Sequence, residues 1–493
     1  MVMMDNTILN VALRDIQKDL SASTAQLQWA VDSYILVYAA FMFTAGVLAD
    51  RFGRRRVLAI GLVVFAVASA FSAWAATPEQ LILWRAIMGL GGAVVPPATL
   101  AIIKEGIPEK DQGRAMGIWA ALGGLSVAFG PIIGGSLLAS FWWGSVFLIN
   151  LPIAAVCIAL LFIAVPESRS SVKRALDFPG LLLAAAATSC LIYGVIEAGA
   201  STNWLEPTSG GFIVLGLILA GVLIAVERRV VTPALDVTLF RSRAFAWGTL
   251  SIALAFFALT GGTFLLVFFV QLVLEKTPLE LGLVLLPVAF GSIASAIGSS
   301  TLVRRWGSKL TVSVGLVFLA GALGVFVLVD QKSSLVLLEA GLLAAGLGMG
   351  AVMGSTTSLA MSAVDVEKAG VGSAVNNTLR QVGAALGVAV MGSVLSMTYR
   401  DRLGQTLSSL PSELRERAED SLGATTYVLD QVVQARPEQA GAVQAALMAA
   451  QSSFVEAMHS TFIVGVVLLL AGALLAAIFI PGRIASDESP GES

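Results

Sequence analysis

Gly46-Val47-Leu48-Ala49-Asp50-Arg51-Phe52-Gly53-Arg54-Arg55-Arg56 separates two long apolar runs and packs five charges into seven residues, four of them arginine. A link this short and this charged between two apolar runs is a tight loop at a membrane face. Its arginines assign that face to the cytoplasm, where short loops collect Lys and Arg. Gly46 and Gly53 allow the backbone to turn and pack where a larger residue clashes. Asp50, at the end of one span, is placed to pair with an arginine or to meet a helix N-terminus. Composition alone fits a positive-inside loop and no more. The spacing of glycine, aspartate and arginine sets this loop apart.

The 493-residue chain is 57% hydrophobic and 13% charged, and its repeated apolar runs of about 20 residues are membrane-spanning helices. Its net charge is −2 and it has no basic domain of the kind that binds nucleic acid. Both cysteines, Cys157 and Cys190, lie inside apolar runs and read as small hydrophobes. With a single histidine, His459, at a span end and read as structural, no zinc or haem site is expected. The sequence has no Walker A loop for ATP. No cofactor is expected, and active transport would have to draw on an ion gradient.

Spans are expected at 28–49, 57–76, 80–103, 114–139, 146–165, 177–198, 209–227, 244–274, 281–303, 310–329, 334–363, 372–399 and 458–481. A shorter apolar run, Met1 to Leu13, precedes them and reaches only about 20 Å of the roughly 30 Å needed before Arg14, Asp15, Lys18 and Asp19 end it. It is expected to be a first span lacking its cytoplasmic half, through a start placed too far downstream or a truncation. The total is about fourteen. Loops on the Asp50–Arg56 side, with the C-terminal tail, carry nineteen Lys/Arg against four in the short loops opposite, which sets both termini inside. Segment 400–457, rich in Glu, Gln and Ala, is expected to form amphipathic helices outside.

The chain also repeats itself. Ser300–Leu310 aligns with Gly46–Arg56 at an offset of 254, so that Gly307 falls on Gly53 and Arg304 replaces Asp50. At an offset of 257, Gly346-Leu347-Gly348 aligns with Gly89-Leu90-Gly91, and Gly387 with Gly130. Two six-helix halves of one ancestry account for this. The expected division is a first half at 1–165, an inserted helix pair at 166–243, a second half at 244–481 and a tail at 482–493.

Charges inside spans are costly and are functional candidates by default. Asp5, Asp32, Arg85, Glu339 and Arg380 qualify. Asp32 and Glu339 are near span ends and equally fit an interfacial role. A carboxylate that is wet in one state and dry or arginine-paired in another loads and releases a proton, because desolvation and a nearby cation shift its pKa in opposite directions. Its negative charge also attracts a cationic substrate, and proton and cation then compete. Gly123, Gly130, Pro131, Gly134 and Gly135 in the fifth span allow close helix approach, and Pro131 is expected to kink the helix, although packing alone would also explain them. Gly346–Ala351 formally fits a dinucleotide fingerprint but lies inside an apolar span and is discounted. No nucleophile–base or metal constellation appears, so an enzyme is not expected.

The chain resembles the fourteen-span drug:proton antiporters of the major facilitator superfamily. The resemblance runs over nearly the whole length. It is carried by Asp5–Ala12, Gln28-Trp29, the Gly46–Arg56 loop, Arg85 and its surroundings, the Gly-Pro-x-x-Gly-Gly of span five, Trp142-Trp143, Phe147–Pro152, Leu285-Leu286-Pro287 and Asn377–Gln381. It implies proton coupling by Asp5 and Arg85, with Asp32 as a second carboxylate facing the cavity. It also implies gating by Gly46, Asp50, Arg51, Gly53, Arg54 and Arg55, and an exporter motif at Gly123, Gly130, Pro131, Gly134 and Gly135. The implied function is proton-coupled efflux of lipophilic, cationic small molecules from the cell membrane. Export of a self-made antibiotic or metabolite, or a non-transporting receptor or sensor on the same fold, are the alternatives. The family admits a periplasmic adaptor. A monomer is expected, since nothing requires a partner chain.

Overall fold

The computed structural model describes residues 1–22, 24–169, 177–201, 206–229, 237–362, 369–403, 422–435 and 440–481. The expected 166–243 linker, the outer segment 400–457 and the tail therefore lie partly outside the described residues. Among those described, regular structure is helical throughout. The first half contains α1 (Val2–Leu20), α2 (Thr24–Phe52), α3 (Arg54–Ala73), α4 (Pro78–Ala93), α5 (Val95–Gly106), α6 (Glu109–Leu138), the single turn α7 (Ser145–Leu148) and α8 (Asn150–Ala164). The stretch expected as an inserted pair forms α9 (Phe178–Ser201) and α10 (Pro207–Glu227). The second half contains α11 (Arg243–Phe268), α12 (Pro278–Phe326), α13 (Leu335–Ser362), α14 (Ala369–Leu403), α15 (Leu422–Ala435) and α16 (Ala440–Phe479).

Local chemistry sets several boundaries. Thr77 caps α4, its hydroxyl accepting from the Gln80 amide at 3.3 Å, with Pro78 in the first turn. Thr277 and Glu280 form a reciprocal capping box that starts α12. The expected span 80–103 is divided at Val94, ahead of Pro96 and Pro97, whose missing amides cannot continue the hydrogen-bond ladder of α4. The charges after Leu13 do not end α1. The helix continues to Leu20 and stops at Ser21, which is left-handed with φ 49°. The spans expected at 281–303 and 310–329 form the two helical parts of α12, separated at Gly307, whose φ of 79° and ψ of 161° are not helical. The last expected span begins earlier, so that α16 takes in residues 440–457 of the outer segment. Beside it, the Tyr399 and Thr425 hydroxyls meet at 2.7 Å and tie α14 to α15.

Twelve helical segments among the described residues are long and apolar enough to cross a membrane. They coincide with twelve of the fourteen expected spans. The remaining two are α1, which has five charged residues among nineteen, and α6, many of whose side chains lie outside the described ones. Both are nevertheless packed within the helical body, with Ile8, Leu9 and Ala12 of α1 buried in the core of the first half.

The internal repeat is visible in the packing. The two glycines with positive φ among the described residues are Gly53 (111°) and Gly307 (79°), the pair aligned by sequence. Gly89 of α4 lies against the backbone of α2 and Gly91 against that of α3. Correspondingly, Gly346 of α13 lies against the first part of α12 and Gly348 against its second part. Gly130 of α6 approaches α1, as Gly387 of α14 approaches α11. Close helix approach at small residues is the main way helices pack in lipid, so the same contacts build both halves.

The halves meet most extensively through α6 and α12, and also through α2 and α14. Phe43 of α2, Phe245 of α11, Ala360 of α13 and Val375 of α14 form one buried cluster with Leu181 and Ala184 of α9. This cluster lies at the face that carries the arginine loop. The inserted pair therefore covers the joint between the halves, and α9 also stacks Tyr193 on Trp29 of α2 with centroids 5.7 Å apart.

Candidate functional site

Arg85 lies on the stripe of α4 that also bears Leu81, Met88 and Gly92, all turned inward. The helix geometry that buries those residues buries Arg85 as well, and both it and Asp5 of α1 are fully enclosed. Arg85 Nη1 pairs with Asp5 Oδ2. Its Nε donates to the Ala30 carbonyl at 3.0 Å, and its guanidinium carbon sits 4.3 Å from the centre of the Tyr34 ring. The other oxygen of Asp5 accepts from Asn150 Nδ2 at 2.8 Å, and the same amide donates to Ser69 Oγ at 3.1 Å. Ser69 in turn donates to the Phe147 carbonyl at 2.9 Å. Asp5 is thereby fixed by α1, α3, α4 and α8, with α2 supplying a carbonyl and a ring.

Sequence reasoning identified Asp5 and Arg85 but missed Asn150, Ser69 and Tyr34. Asn150 was visible only as part of the Phe147–Pro152 stretch. An amide or hydroxyl in an apolar run carries too small a hydropathy penalty to stand out. Asp32 is half-buried on α2 and is not among the groups that touch Asp5 or Arg85.

A proton arriving on Asp5 cancels one charge of a sealed pair. Arg85 would then keep the Ala30 carbonyl and the Tyr34 ring but no counter-charge. Removing one partner of a buried pair is worth roughly 3–5 kcal/mol, enough to bias a two-state equilibrium strongly. The arrangement suits a proton-dependent switch.

The arginine loop is a second cluster. Asp50 Oδ1 accepts from Arg54 Nε at 3.0 Å and Nη2 at 2.9 Å, and Arg54 Nη1 reaches Glu105 at the end of α5. The Arg54 amide donates to the Ser168 carbonyl at 2.8 Å. The Arg55 amide donates to Glu167 Oε1 at 3.2 Å, and Arg55 Nη1 to the Val165 carbonyl at 3.1 Å. Arg56 Nε lies 3.4 Å from Glu167 Oε2. Gly46 and Gly53 are buried, and Arg51 is exposed with its guanidinium over Phe52. The loop thus ties α2 and α3 to the ends of α5 and α8. Glu105 and Glu167 were missed because an acid in a charged loop does not stand out.

The five-residue glycine motif separates into two groups. At Gly130 an added Cβ would run into Thr7 and stand 3.0 Å from the Ile8 amide, and at Gly134 it would stand 2.8 Å from Ile8 Cγ1. At Gly123 and Gly135 it would meet nothing within 4 Å. Gly130 and Gly134 therefore seat α6 on α1, the helix that bears Asp5. α6 continues through Pro131, whose side chain lies outside the described ones.

Arg380 is not part of either cluster. It is buried on α14, with its guanidinium carbon 5.7 Å from the Trp119 ring of α6 and 5.0 Å from the Phe256 ring of α11. The Tyr38 phenol of α2 lies beside it. Tyr38 stacks on Tyr34 with centroids 5.7 Å apart, so two rings link Arg380 to the Asp5–Arg85 pair. His459 Nε2 is 2.8 Å from the Val329 carbonyl and secures a helix end.

A bundle of membrane-crossing helices in two related halves, with a sealed ion pair in one and a buried arginine at the joint, defines a polytopic membrane protein of the transporter class. The Major Facilitator Superfamily profile matches residues 1–388, and the chain belongs to that family. It is 34% identical over 493 residues to the multidrug resistance protein Stp of Mycobacterium tuberculosis (strain CDC 1551 / Oshkosh), covering 98% of this chain and 89% of that protein. It is 32% identical over 402 residues to the tetracenomycin C resistance and export protein of Streptomyces glaucescens, covering 81% and 74%. Among solved structures, a bacterial homologue of the human lysosomal transporter Spinster, inward-facing and occupied, shares the fold with a TM-score of 0.55 at 18% identity, over 97% of this chain and 94% of that one.

Proposed function

We propose that the chain is a proton-driven exporter of lipophilic small molecules, acting as a monomer of fourteen spans in the cell membrane with both termini in the cytoplasm. The observation that carries the reading is the sealed Asp5–Arg85 pair, held by Asn150 and reached by no bulk water in this state. Protonation of Asp5 releases Arg85. Deprotonation toward the other side of the membrane restores the pair and returns the halves to their starting arrangement. The Arg54 cluster holds the cytoplasmic ends of the first half together, and the Phe43–Val375 cluster closes the joint at the same face. The names of the relatives, multidrug resistance in one case and resistance and export of an antibiotic in the other, support efflux as the direction. The Streptomyces relative also keeps open export of a self-made metabolite as a second reading. Accumulation of a fluorescent lipophilic cation in everted vesicles tests the proposal: uptake energised by respiration and collapsed by a protonophore is expected, and uptake indifferent to the protonophore would refute it.

A further inference from the structure

The first half encloses an arginine together with its carboxylate; the joint between the halves encloses an arginine without one. Arg380 is 2% exposed, yet among the described residues its Nε and Nη2 have no hydrogen-bond partner and no carboxylate pairs with it, although the Tyr38 phenol lies beside it. Two N–H donors, one on Nε and one on Nη2, therefore point along one edge of the guanidinium with no acceptor bonded to them among the described residues. That edge is the one that grips two oxygens of a carboxylate side by side. The flanking rings, Trp119 and Phe256, attract the cation from its faces but supply no acceptor in its plane. A buried guanidinium left in this condition is costly, and the cost is recovered only when an acceptor arrives.

The position indicates where that acceptor comes from. Trp119 lies on α6 in the first half, while Phe256 and Arg380 lie on α11 and α14 in the second. A movement that parts the halves draws the Trp119 ring away and uncovers the free edge. We infer that Arg380 is a cargo subsite for an acidic group: it takes a lipophilic aromatic carboxylate, whose two oxygens dock on the Nε–Nη2 edge while its rings lie against Phe256, which stays beside Arg380 in the second half. This names a substrate class for the exporter proposed above and rests on that reading, and it adds organic acids to a range that the buried carboxylates alone would restrict to cations.

Two probes on the purified, full-length protein separate this from other roles. Fluorescein, an aromatic carboxylate, and ethidium, an aromatic cation, are compared in binding and in proteoliposome transport for the wild type, Arg380→Lys and Arg380→Gln. Losing a bidentate charged contact should weaken fluorescein binding by roughly 10–100-fold in Arg380→Gln. Arg380→Lys should be intermediate, because it keeps the charge but not the fork. Ethidium binding should stay within about twofold in both variants. Equal loss of both probes would overturn the inference and make Arg380 a partner for one of the chain's own carboxylates in another state. A wild-type comparison needs no variant: the carboxylate should bind at least about tenfold more tightly than its neutral carboxamide analogue, and equal affinities would also overturn it. Protonophore-sensitive ethidium transport is scored separately. Its absence alongside arginine-dependent fluorescein binding would refute proton-driven export and leave the subsite standing.

Discussion

A carboxylate sealed against a guanidinium is stable only while both charges are present. Asp5→Asn leaves Arg85 enclosed with the Ala30 carbonyl and the Tyr34 ring but no counter-charge, and is expected to cost about 3–5 kcal/mol. Combining it with Arg85→Gln removes the orphaned charge and should recover part of that loss. Thermal unfolding of the solubilised protein measures both, and a single variant as stable as wild type would show that the pair contributes nothing. The glycine motif gives a second contrast at this scale. Gly130→Ala drives a methyl into Thr7 and Ile8 and should cost about 1–3 kcal/mol. Gly135→Ala meets open space and should stay within about 0.5 kcal/mol. Equal effects in the same unfolding measurement would mean that α6 is not seated on α1 through Gly130. The sequence marked all five motif positions alike, because small size is legible in a residue name and the neighbour that requires it is not.

Elements are also held in place at their ends. Gly53 starts α3 with φ 111°, a conformation that costs a side chain about 1–3 kcal/mol, and its amide neighbours are held by Ser168 and Glu167. Glu167→Gln removes the ion pairs to Arg55 and Arg56. It is expected to loosen the loop from α8 and favour opening at that face. In a background without Cys157 and Cys190, a thiol placed by Phe43→Cys should be labelled severalfold faster when Glu167→Gln is added; an unchanged rate would show that the cluster does not hold the joint closed. The sequence revealed the loop itself, since its charges interrupt apolar runs. It also revealed Gly53 and Gly307 as a pair, since the halves share a pattern. Glu105 and Glu167 stayed hidden because acids are common in loops and only the fold shows which arginine they meet. The junction at 304–309 was legible for the same reason as the arginine loop, its charges interrupting an apolar run, and the helix breaks there at Gly307.

At the scale of the whole molecule, the two halves share matching glycine contacts, while the fully enclosed Asp5–Arg85 pair belongs to the first. The class of fold, the span positions and the two charges of the ion pair were legible because each leaves a large hydropathy signal. The partners that fix Asp5 were not, because Asn150, Ser69 and Tyr34 come from three other helices and are polar without being charged. The Asp5–Arg85 pair lies in the first half and Arg380 at the joint, linked by the rings of Tyr34 and Tyr38. Proton movement coupled to cargo is the central claim, and it is tested most directly in proteoliposomes loaded with a pH-sensitive dye. Adding ethidium to one side should drive protons in the opposite direction for the wild type, and Asp5→Asn should abolish that proton movement while ethidium still binds. Proton movement by Asp5→Asn equal to that of the wild type would contradict the account.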